Sequence, residues 1–186
     1  MQIAVIDLGI GNLRSVAQAL TAVAPNADII VTSDAAVIEM ADRVVMPGQG
    51  AIGTWFAALE ERQLKGAVRK SLNEKPMLGI CVGMQALFEH CEENGGVDGL
   101  GIFEGSVKHF SNFHADSPER LKIPQMGWNQ VSQVQDHALW HGIGDQSYFY
   151  FVHSFAFKSK EITNVVATTD YGKEHVAIIQ KDNIYG

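Results

Sequence analysis

Short apolar runs and amphipathic stretches alternate along the first half of the chain. The apolar runs are "QIAVIDLG" (2–9), "ADIIVTS" (27–33), "RVVMPG" (43–48) and "KPMLGIC" (75–81), and each has the length of a buried strand. Between the first two runs, Leu13, Val16, Ala17 and Leu20 fall at helical spacing after Asn12, a typical N-cap residue. This alternation predicts an α/β fold with a mostly parallel, open sheet and helices on both faces.

Three further stretches of this half are predicted to be helical. They are "DAAVIEMA" (34–41), residues 51–72 with a break near Gly66, and "VGMQALFEHCEE" (82–93) after the fourth strand. Cys91 lies one helical turn beyond Leu87 in the last of these and is predicted to be a core residue.

The pattern changes after about residue 100, where strand-like runs are joined by glycine and polar turns. These runs are "GIFEGSVKHF" (101–110), "KIPQMGWNQVSQV" (122–134), "SYFYFVHSFAF" (147–157), "TNVVATTDYG" (163–172) and "HVAIIQKD" (175–182). They predict antiparallel strands added to the sheet in the C-terminal half. "SNFHADSPERL" (111–121) is predicted to be a mobile surface loop. Because no linker, repeat or low-complexity segment interrupts the chain, we expect one domain over residues 1–186.

Composition narrows the class of protein. The chain has 186 residues, of which 46% are hydrophobic and 19% charged, as in an ordinary globular protein. Its net charge of -7 argues against a nucleic-acid-binding function. No apolar run could span a membrane, and "MQIAVIDLG" is not a signal peptide. With two cysteines and no disulfide framework, we expect a cytoplasmic protein with reduced thiols.

The stretch "GICVGMQ" (79–85) contains the main candidate for chemistry. Cys81 is either a buried, inert thiol in a strand-to-helix connection or a nucleophile presented on a sharp turn. Gly79 and Gly83 flank it at the spacing of a nucleophile elbow, in which small residues allow the close approach of two backbones. A helix that begins after Cys81 favours the thiolate, and the carboxyl end of a parallel strand is where such sheets bind ligands.

Two other glycine turns follow predicted strands. "MPGQG" (46–50) can supply backbone N–H donors to an oxyanion, or it is a plain strand-to-helix turn. "DLGIGN" (7–12) lacks the remaining residues of a dinucleotide or phosphate loop and is predicted to be a turn. The seven histidines show no metal-ligand spacing, so we expect no metal site. We also expect no cofactor.

Four motifs in order, "MPGQG", "GICVGMQ", "PQMGWN" and "YFYFVHSF", resemble those of the class I glutamine amidotransferases. The pair "PxMGWN" and "YFVHS" is similar to the glutaminase subunits of imidazole glycerol phosphate synthase in histidine biosynthesis. The resemblance covers essentially the whole chain and implies a flavodoxin-like fold. The sequence departs from the family's pattern at Gln125, where a histidine is common, and at Gln49, where an apolar residue is more frequent.

The resemblance implies roles for particular residues. Cys81 would attack the carboxamide of glutamine and form a thioester with release of ammonia. The implied oxyanion hole consists of Val82, Gln49 and Gly50, and the implied substrate-binding residues are Gln85, His153 and Ser154. The implied partner is a (β/α)8-barrel cyclase that forms a heterodimer with this chain and receives the ammonia. The implied interface residues are Asn12, Met126, Trp128 and Asn129, although Trp128 also suits a protein core.

The family's catalytic histidine and glutamate lie in a "VQFHPEKS"-like stretch that has no counterpart among these residues. We expect this sequence to be truncated, and the alternative is a short form that binds the cyclase without hydrolysing glutamine. His153 is not the family's base, and His175 is predicted to be a strand residue. A third hypothesis is another cysteine-elbow α/β protein of the hydrolase or stress-protein type, which would share the elbow but not "PxMGWN".

Overall fold

The computed structural model describes residues 1–115 and 121–186. The strands are β1 (Gln2–Ile6), β2 (Asp28–Thr32), β3 (Arg43–Gly48), β4 (Met77–Cys81), β5 (Phe88–Cys91), β6 (Val97–Asp98), β7 (Phe103–His109), β8 (Gln125–Gln133), β9 (Ser147–His153), β10 (Phe155–Ser159), β11 (Val165–Asp170), β12 (Glu174–Lys181) and β13 (Ile184–Tyr185). The helices are α1 (Leu13–Val23), α2 (Ala35–Met40), α3 (Ile52–Glu61), α4 (Lys65–Glu74), α5 (Val82–Gln85) and α6 (Phe110–Phe113).

The described residues divide into two compact units. The first comprises residues 1–87 and 182–186, and the second comprises residues 88–181. The division follows the change of pattern along the sequence, from alternating strands and helices to successive strands. That residues 1–186 act as one domain stays a prediction.

The first unit contains the parallel sheet that the apolar runs predict. Its strands lie in the order β2-β1-β3-β4-β13, and each neighbouring pair is parallel. Helix α1 packs on Ile3, Val5 and Val45 through Leu13, Val16 and Leu20, which are three of the residues predicted at helical spacing. The prediction of an α/β fold with a parallel sheet is therefore confirmed.

The helix ends follow local chemistry. Asn12 caps α1 as predicted, because its side-chain oxygen accepts a hydrogen bond of 3.2 Å from the Ser15 backbone N–H. The break predicted near Gly66 lies slightly earlier, between α3 and α4, where Gln63 takes a φ of 57°. Gly66 itself lies inside α4. A residue in this left-handed conformation ends the helix as effectively as the predicted glycine would.

The helix predicted over residues 82–93 is wrong beyond its first turn. Helix α5 ends at Gln85, and Phe88–Cys91 forms the strand β5, which pairs with β6 and β7. The Phe88 ring stacks on Phe157 and also contacts Phe103, with centroid distances of 5.0 and 5.7 Å. Both partners are distant in sequence, so tertiary packing overrides the helical periodicity of this segment. Cys91 is buried, as predicted, but in a strand rather than a helix.

The second unit contains the strands predicted for the C-terminal half. Strands β12, β11, β8 and β9 follow one another as antiparallel neighbours, which confirms the antiparallel prediction. Their core includes Val131, Trp140, Val166 and Ala167. A second sheet has the order β10-β7-β5-β6, and in it β5 and β7 are parallel.

The predicted surface loop over residues 111–121 is only partly described. Residues 116–120 lie outside the described residues. Before them, residues 111–113 belong to the helix α6 (Phe110–Phe113), so the predicted loop is wrong there, although Ser111, Asn112 and Ala115 are exposed and only His114 is buried. Within the described part of the chain, no helix is long and apolar enough to cross a membrane.

Candidate active site

Cys81 occupies a strained and exposed turn between β4 and α5. Its φ and ψ are 56° and -112°, a region that residues other than glycine rarely adopt. The residue is exposed, although Val82 to Gln85, which follow it, are buried. The alternative that Cys81 is a buried thiol is therefore wrong. Burial instead raises the pKa of the Cys91 thiol to about 11, as suits a core residue.

The two flanking glycines of the elbow are required by close backbone contacts. A Cβ atom on Gly79 would lie 2.8 Å from the Gly83 carbonyl oxygen, across the turn. One on Gly83 would lie only 1.8 Å from the Met46 carbonyl oxygen of β3. The helix that follows Cys81 is thus pressed directly on the neighbouring strand, which is the close approach that the glycine spacing predicts.

The pairing of β3 with β4 places the second glycine loop beside the cysteine. Gly48, the last residue of β3, is the register partner of Cys81. Gln49 and Gly50 follow and are exposed, and Gly50 has a φ of 82° in open space. A residue with a side chain would be strained in that conformation, so the loop needs glycine at position 50 for its backbone path.

Trp55 of α3 is a residue of this region that the sequence patterns did not reveal. Its side chain is completely buried, and its indole Nε1–H donates a hydrogen bond of 3.1 Å to the Pro47 carbonyl oxygen. The ring also leaves no room for a side chain at position 48, where a Cβ atom would lie 2.7 Å from the Trp55 Cδ1 atom and 2.9 Å from the Val82 Cβ atom. An aromatic residue in a helix carries no sequence signal for such a contact.

The arrangement suits acyl transfer. The Val82 N–H is the first of α5 and therefore has no carbonyl partner within that helix. The loop of Gln49 and Gly50 begins at the register partner of Cys81. Backbone N–H groups on both sides of an exposed thiol are the donors that an oxyanion requires.

Gln85 lies at the end of α5 and is buried, with 6% of its surface exposed. Its side-chain oxygen Oε1 has no hydrogen-bond partner among the described residues. A buried amide oxygen without a donor is costly, and a ligand that brings an N–H group would remove that cost. This position is compatible with the predicted role in substrate binding.

His153 and Ser154 lie together at the junction of β9 and β10, in the second unit. The His153 Nδ1 atom is 2.7 Å from the Phe155 carbonyl oxygen, and the Nε2 atom is 2.8 Å from the Gln125 Oε1 atom. Both ring nitrogens are thus engaged within the protein, and the Ser154 carbonyl accepts from the Phe110 N–H. Their predicted role in glutamine binding stays a prediction.

Three histidines surround the buried ring of Phe110. Its centroid lies 5.0 Å from that of His114, 4.9 Å from that of His153 and 5.6 Å from that of His175. Burial lowers the pKa of all three imidazoles, and that of His175 falls to about 4. His175 is a residue of β12, as predicted, and its Nδ1–H donates to the Lys173 carbonyl.

The histidine cluster predicts a loss of stability in mild acid. Between pH 6.5 and about 4, an unfolded His175 binds a proton that the folded residue does not, so stability falls as the pH falls through this range. For His175 alone, the expected loss of unfolding free energy between pH 7.5 and pH 5 is about 2 kcal/mol. Chemical denaturation at the two pH values measures it, and His175→Phe should reduce the loss by this amount.

His141 provides the control for this prediction, because it is exposed and lies outside the cluster. His141→Phe should retain the full pH dependence of the wild type. An equal loss of stability in the wild type and in His175→Phe would contradict the prediction.

Two of the four predicted interface residues lie on an exposed, largely aromatic face of β8 and β9. Met126 and Trp128 of β8 project from the same side as their register partners in β9, and Trp128 is 69% exposed. The members of this aromatic face, all more than half exposed, are Met126, Trp128, Tyr148, Tyr150 and Val152. Asn129 lies on the opposite side of β8, where its amide donates to the Asp170 carbonyl. Asn12 is exposed at the start of α1, in the first unit.

The structure brings Cys81, Val82, Gln49, Gly50 and Gln85 into the first unit and the remaining predicted substrate residues into the second. Over residues 1–115 and 121–186, no group of three or more histidine, cysteine, aspartate or glutamate side chains is placed to hold a metal ion.

Comparison with known proteins agrees with this geometry. The family model for class I glutamine amidotransferases matches residues 4–186. A solved structure described as a glutamine amidotransferase shares the fold, with a TM-score of 0.68 and 17% identity over 98% of this chain and 86% of that one. The exposed cysteine on its elbow and the fold thus define a class I glutamine amidotransferase.

The curated relatives narrow the family further. The imidazole glycerol phosphate synthase subunit HisH of Dechloromonas aromatica is 49% identical over 98% of this chain and 85% of its own length. The subunit of the same name from Pseudomonas putida is 49% identical over 95% of this chain and 83% of its own length. The chain belongs to the class I glutamine amidotransferases and, within them, to the HisH family.

Proposed function

We propose that this chain hydrolyses glutamine to glutamate and ammonia and supplies the ammonia to a cyclase subunit of imidazole glycerol phosphate synthase. The observation that carries the proposal is the strained, exposed Cys81 between Gly79 and Gly83, directly beside Gly48 at the start of the second glycine loop. The HisH names of relatives that are 49% identical support the same reaction and the same pathway, histidine biosynthesis.

The reaction proceeds in two steps through a thioester. The Cys81 sulfur attacks the side-chain carboxamide carbon of glutamine, and the C–N bond breaks as ammonia leaves with the thiol proton. Water then attacks the thioester carbon, which releases glutamate and restores the thiol. The proton transfers need a general base, and the family resemblance assigns that role to a histidine oriented by a glutamate.

Each tetrahedral intermediate places negative charge on the former amide oxygen. The N–H of Val82 and an N–H of the Gln49–Gly50 loop are the donors proposed for this oxygen. Gln85 is proposed to bind the substrate, because its buried Oε1 suits the α-ammonium group of glutamine. The proposed role of His153 and Ser154 in glutamine binding rests on the family resemblance alone.

The aromatic face is proposed as the docking surface for the cyclase. Exposed Trp and Tyr side chains are enriched at protein interfaces, and here Trp128 contacts Tyr150 edge-on at 5.6 Å. The partner is proposed to be a (β/α)8 barrel that forms a heterodimer with this chain and uses ammonia to form imidazole glycerol phosphate and AICAR. The complex is proposed to act in the cytoplasm, where the Cys81 thiol stays reduced.

The test is glutamine hydrolysis by the full-length protein, with and without the cyclase and its nucleotide substrate. We expect glutamate release in the complex and a much lower rate for the subunit alone, because the oxyanion loop has to be aimed before chemistry begins. 6-Diazo-5-oxo-L-norleucine, an electrophilic glutamine analogue, should label Cys81 and not Cys91, as measured by peptide mass spectrometry. Size-exclusion chromatography of the same samples measures whether the two chains form a complex.

Three results would count against parts of the proposal. Complex formation without glutamate release would identify a binding subunit that does not turn over glutamine. Equal rates with and without the cyclase would contradict the coupling to the partner. Absence of label at Cys81 in a well-folded complex would remove the cysteine from the mechanism.

A further inference from the structure

On the side away from β4, the end of β3 is held by a contact from α3 and not by another strand. The ladder between β1 and β3 ends at Val45, two residues before Pro47. At Pro47 the carbonyl oxygen instead accepts the hydrogen bond of 3.1 Å from the indole Nε1–H of Trp55. The indole is completely buried, so water does not compete for this bond.

This bond fixes the orientation of a peptide unit at the start of the loop. A peptide group is planar, so holding the Pro47 carbonyl also sets the direction of the Gly48 N–H. The proline ring restricts its own φ as well. The backbone that enters the Gln49–Gly50 loop therefore leaves β3 along one defined path.

The indole ring also closes the space around Gly48. A Cβ atom at this position would lie 2.9 Å from both the Trp55 Nε1 atom and the Val82 Cβ atom. Gly48 is thus enclosed between the indole and the residue that follows Cys81. Gly48 therefore borders both Val82, which carries one proposed oxyanion donor, and the loop that carries the other.

We propose that Trp55 is a positioning residue for glutamine hydrolysis, which holds the Pro47–Gly48 peptide so that the Gln49–Gly50 loop presents its N–H donor to the oxyanion beside Cys81. The proposal rests on the proposed glutaminase function. Trp55 does not touch the reacting atoms in this mechanism. It acts through the Pro47 carbonyl, and its loss should slow the chemical step more than it weakens glutamine binding.

The experiment replaces Trp55 by 3-benzothienylalanine, which keeps the bicyclic ring but has sulfur in place of the indole N–H. Trp55→Phe is the genetically simpler second variant. The matched control is 3-benzothienylalanine at Trp140, whose indole N–H donates to the Gln135 carbonyl at 3.2 Å in the second unit. All proteins are assayed as the complex with the cyclase and its nucleotide substrate.

Three readouts separate positioning from folding. The expected result at position 55 is a fall in kcat of about tenfold, less than the roughly 10²-fold or more for removal of an oxyanion donor, with KM for glutamine within about threefold. Alkylation of Cys81 by iodoacetamide, which forms no tetrahedral oxyanion, should keep its wild-type rate. The control at Trp140 should show wild-type kcat.

An unchanged kcat in the position-55 isostere would overturn the proposal while the wild type still hydrolyses glutamine. Equal losses of kcat and of the alkylation rate would also overturn it, because they indicate a general disturbance of the elbow. A wild-type complex that releases no glutamate would refute the proposed function itself, together with this inference.

Discussion

Cys81→Ser is expected to lower kcat for glutamine hydrolysis by roughly 10³-fold or more in the complex with the cyclase. A serine hydroxyl at the same position is a much weaker nucleophile at neutral pH than a thiol, and the thioester cannot form. Because residue 81 is exposed, the substitution should change the free energy of unfolding by no more than about 0.5 kcal/mol. Steady-state glutamate release and thermal unfolding measure the two effects.

Two further cysteine variants test whether the loss of activity is specific to the Cys81 thiol. Cys91→Ala, which alters the buried thiol of β5, should keep kcat near the wild-type value while it lowers stability. Cys81→Gly should be inactive yet more stable by about 1 kcal/mol, because glycine adopts the conformation with φ of 56° without strain. Retention of activity in Cys81→Ser would contradict the nucleophilic role.

Gly83→Ala is expected to destabilise the protein by about 3 kcal/mol or more and to abolish glutamine hydrolysis. The new Cβ atom would lie 1.8 Å from the Met46 carbonyl oxygen, and neither group is the flexible end of a side chain. Helix α5 would have to move away from β3, and the Val82 N–H would move with it. Chemical denaturation gives the change in stability, and iodoacetamide reactivity reports on the elbow.

Gly66→Ala is the matched control for this prediction. Gly66 lies inside α4, and a Cβ atom there would meet nothing within 4 Å. Alanine is favoured over glycine in a helix, so this variant should be more stable by up to about 1 kcal/mol and fully active. Similar behaviour of the two alanine variants would show that the contact between Gly83 and Met46 does not restrict the elbow.

Much of the fold follows from local patterns in the sequence. The strands of the first unit are short apolar runs, and the amphipathic spacing of Leu13, Val16 and Leu20 is used to cover one face of the sheet. The N-cap role of Asn12 depends only on residues three positions apart, so it is readable from the chain alone. The segment 88–91 could not be predicted in this way, because its partners in β7 and β10 lie far along the chain.

The same division applies to the candidate site. The spacing of Gly79, Cys81 and Gly83 determined the elbow, because a sharp strand-to-helix turn makes local demands on those positions. Only the tertiary structure decided that Cys81 is exposed and that Gly83 faces the Met46 carbonyl. It also decided that Trp55 holds the Pro47 carbonyl. These contacts arise when β3, β4 and α3 pack together, and packing between distant segments leaves no periodic trace in the sequence.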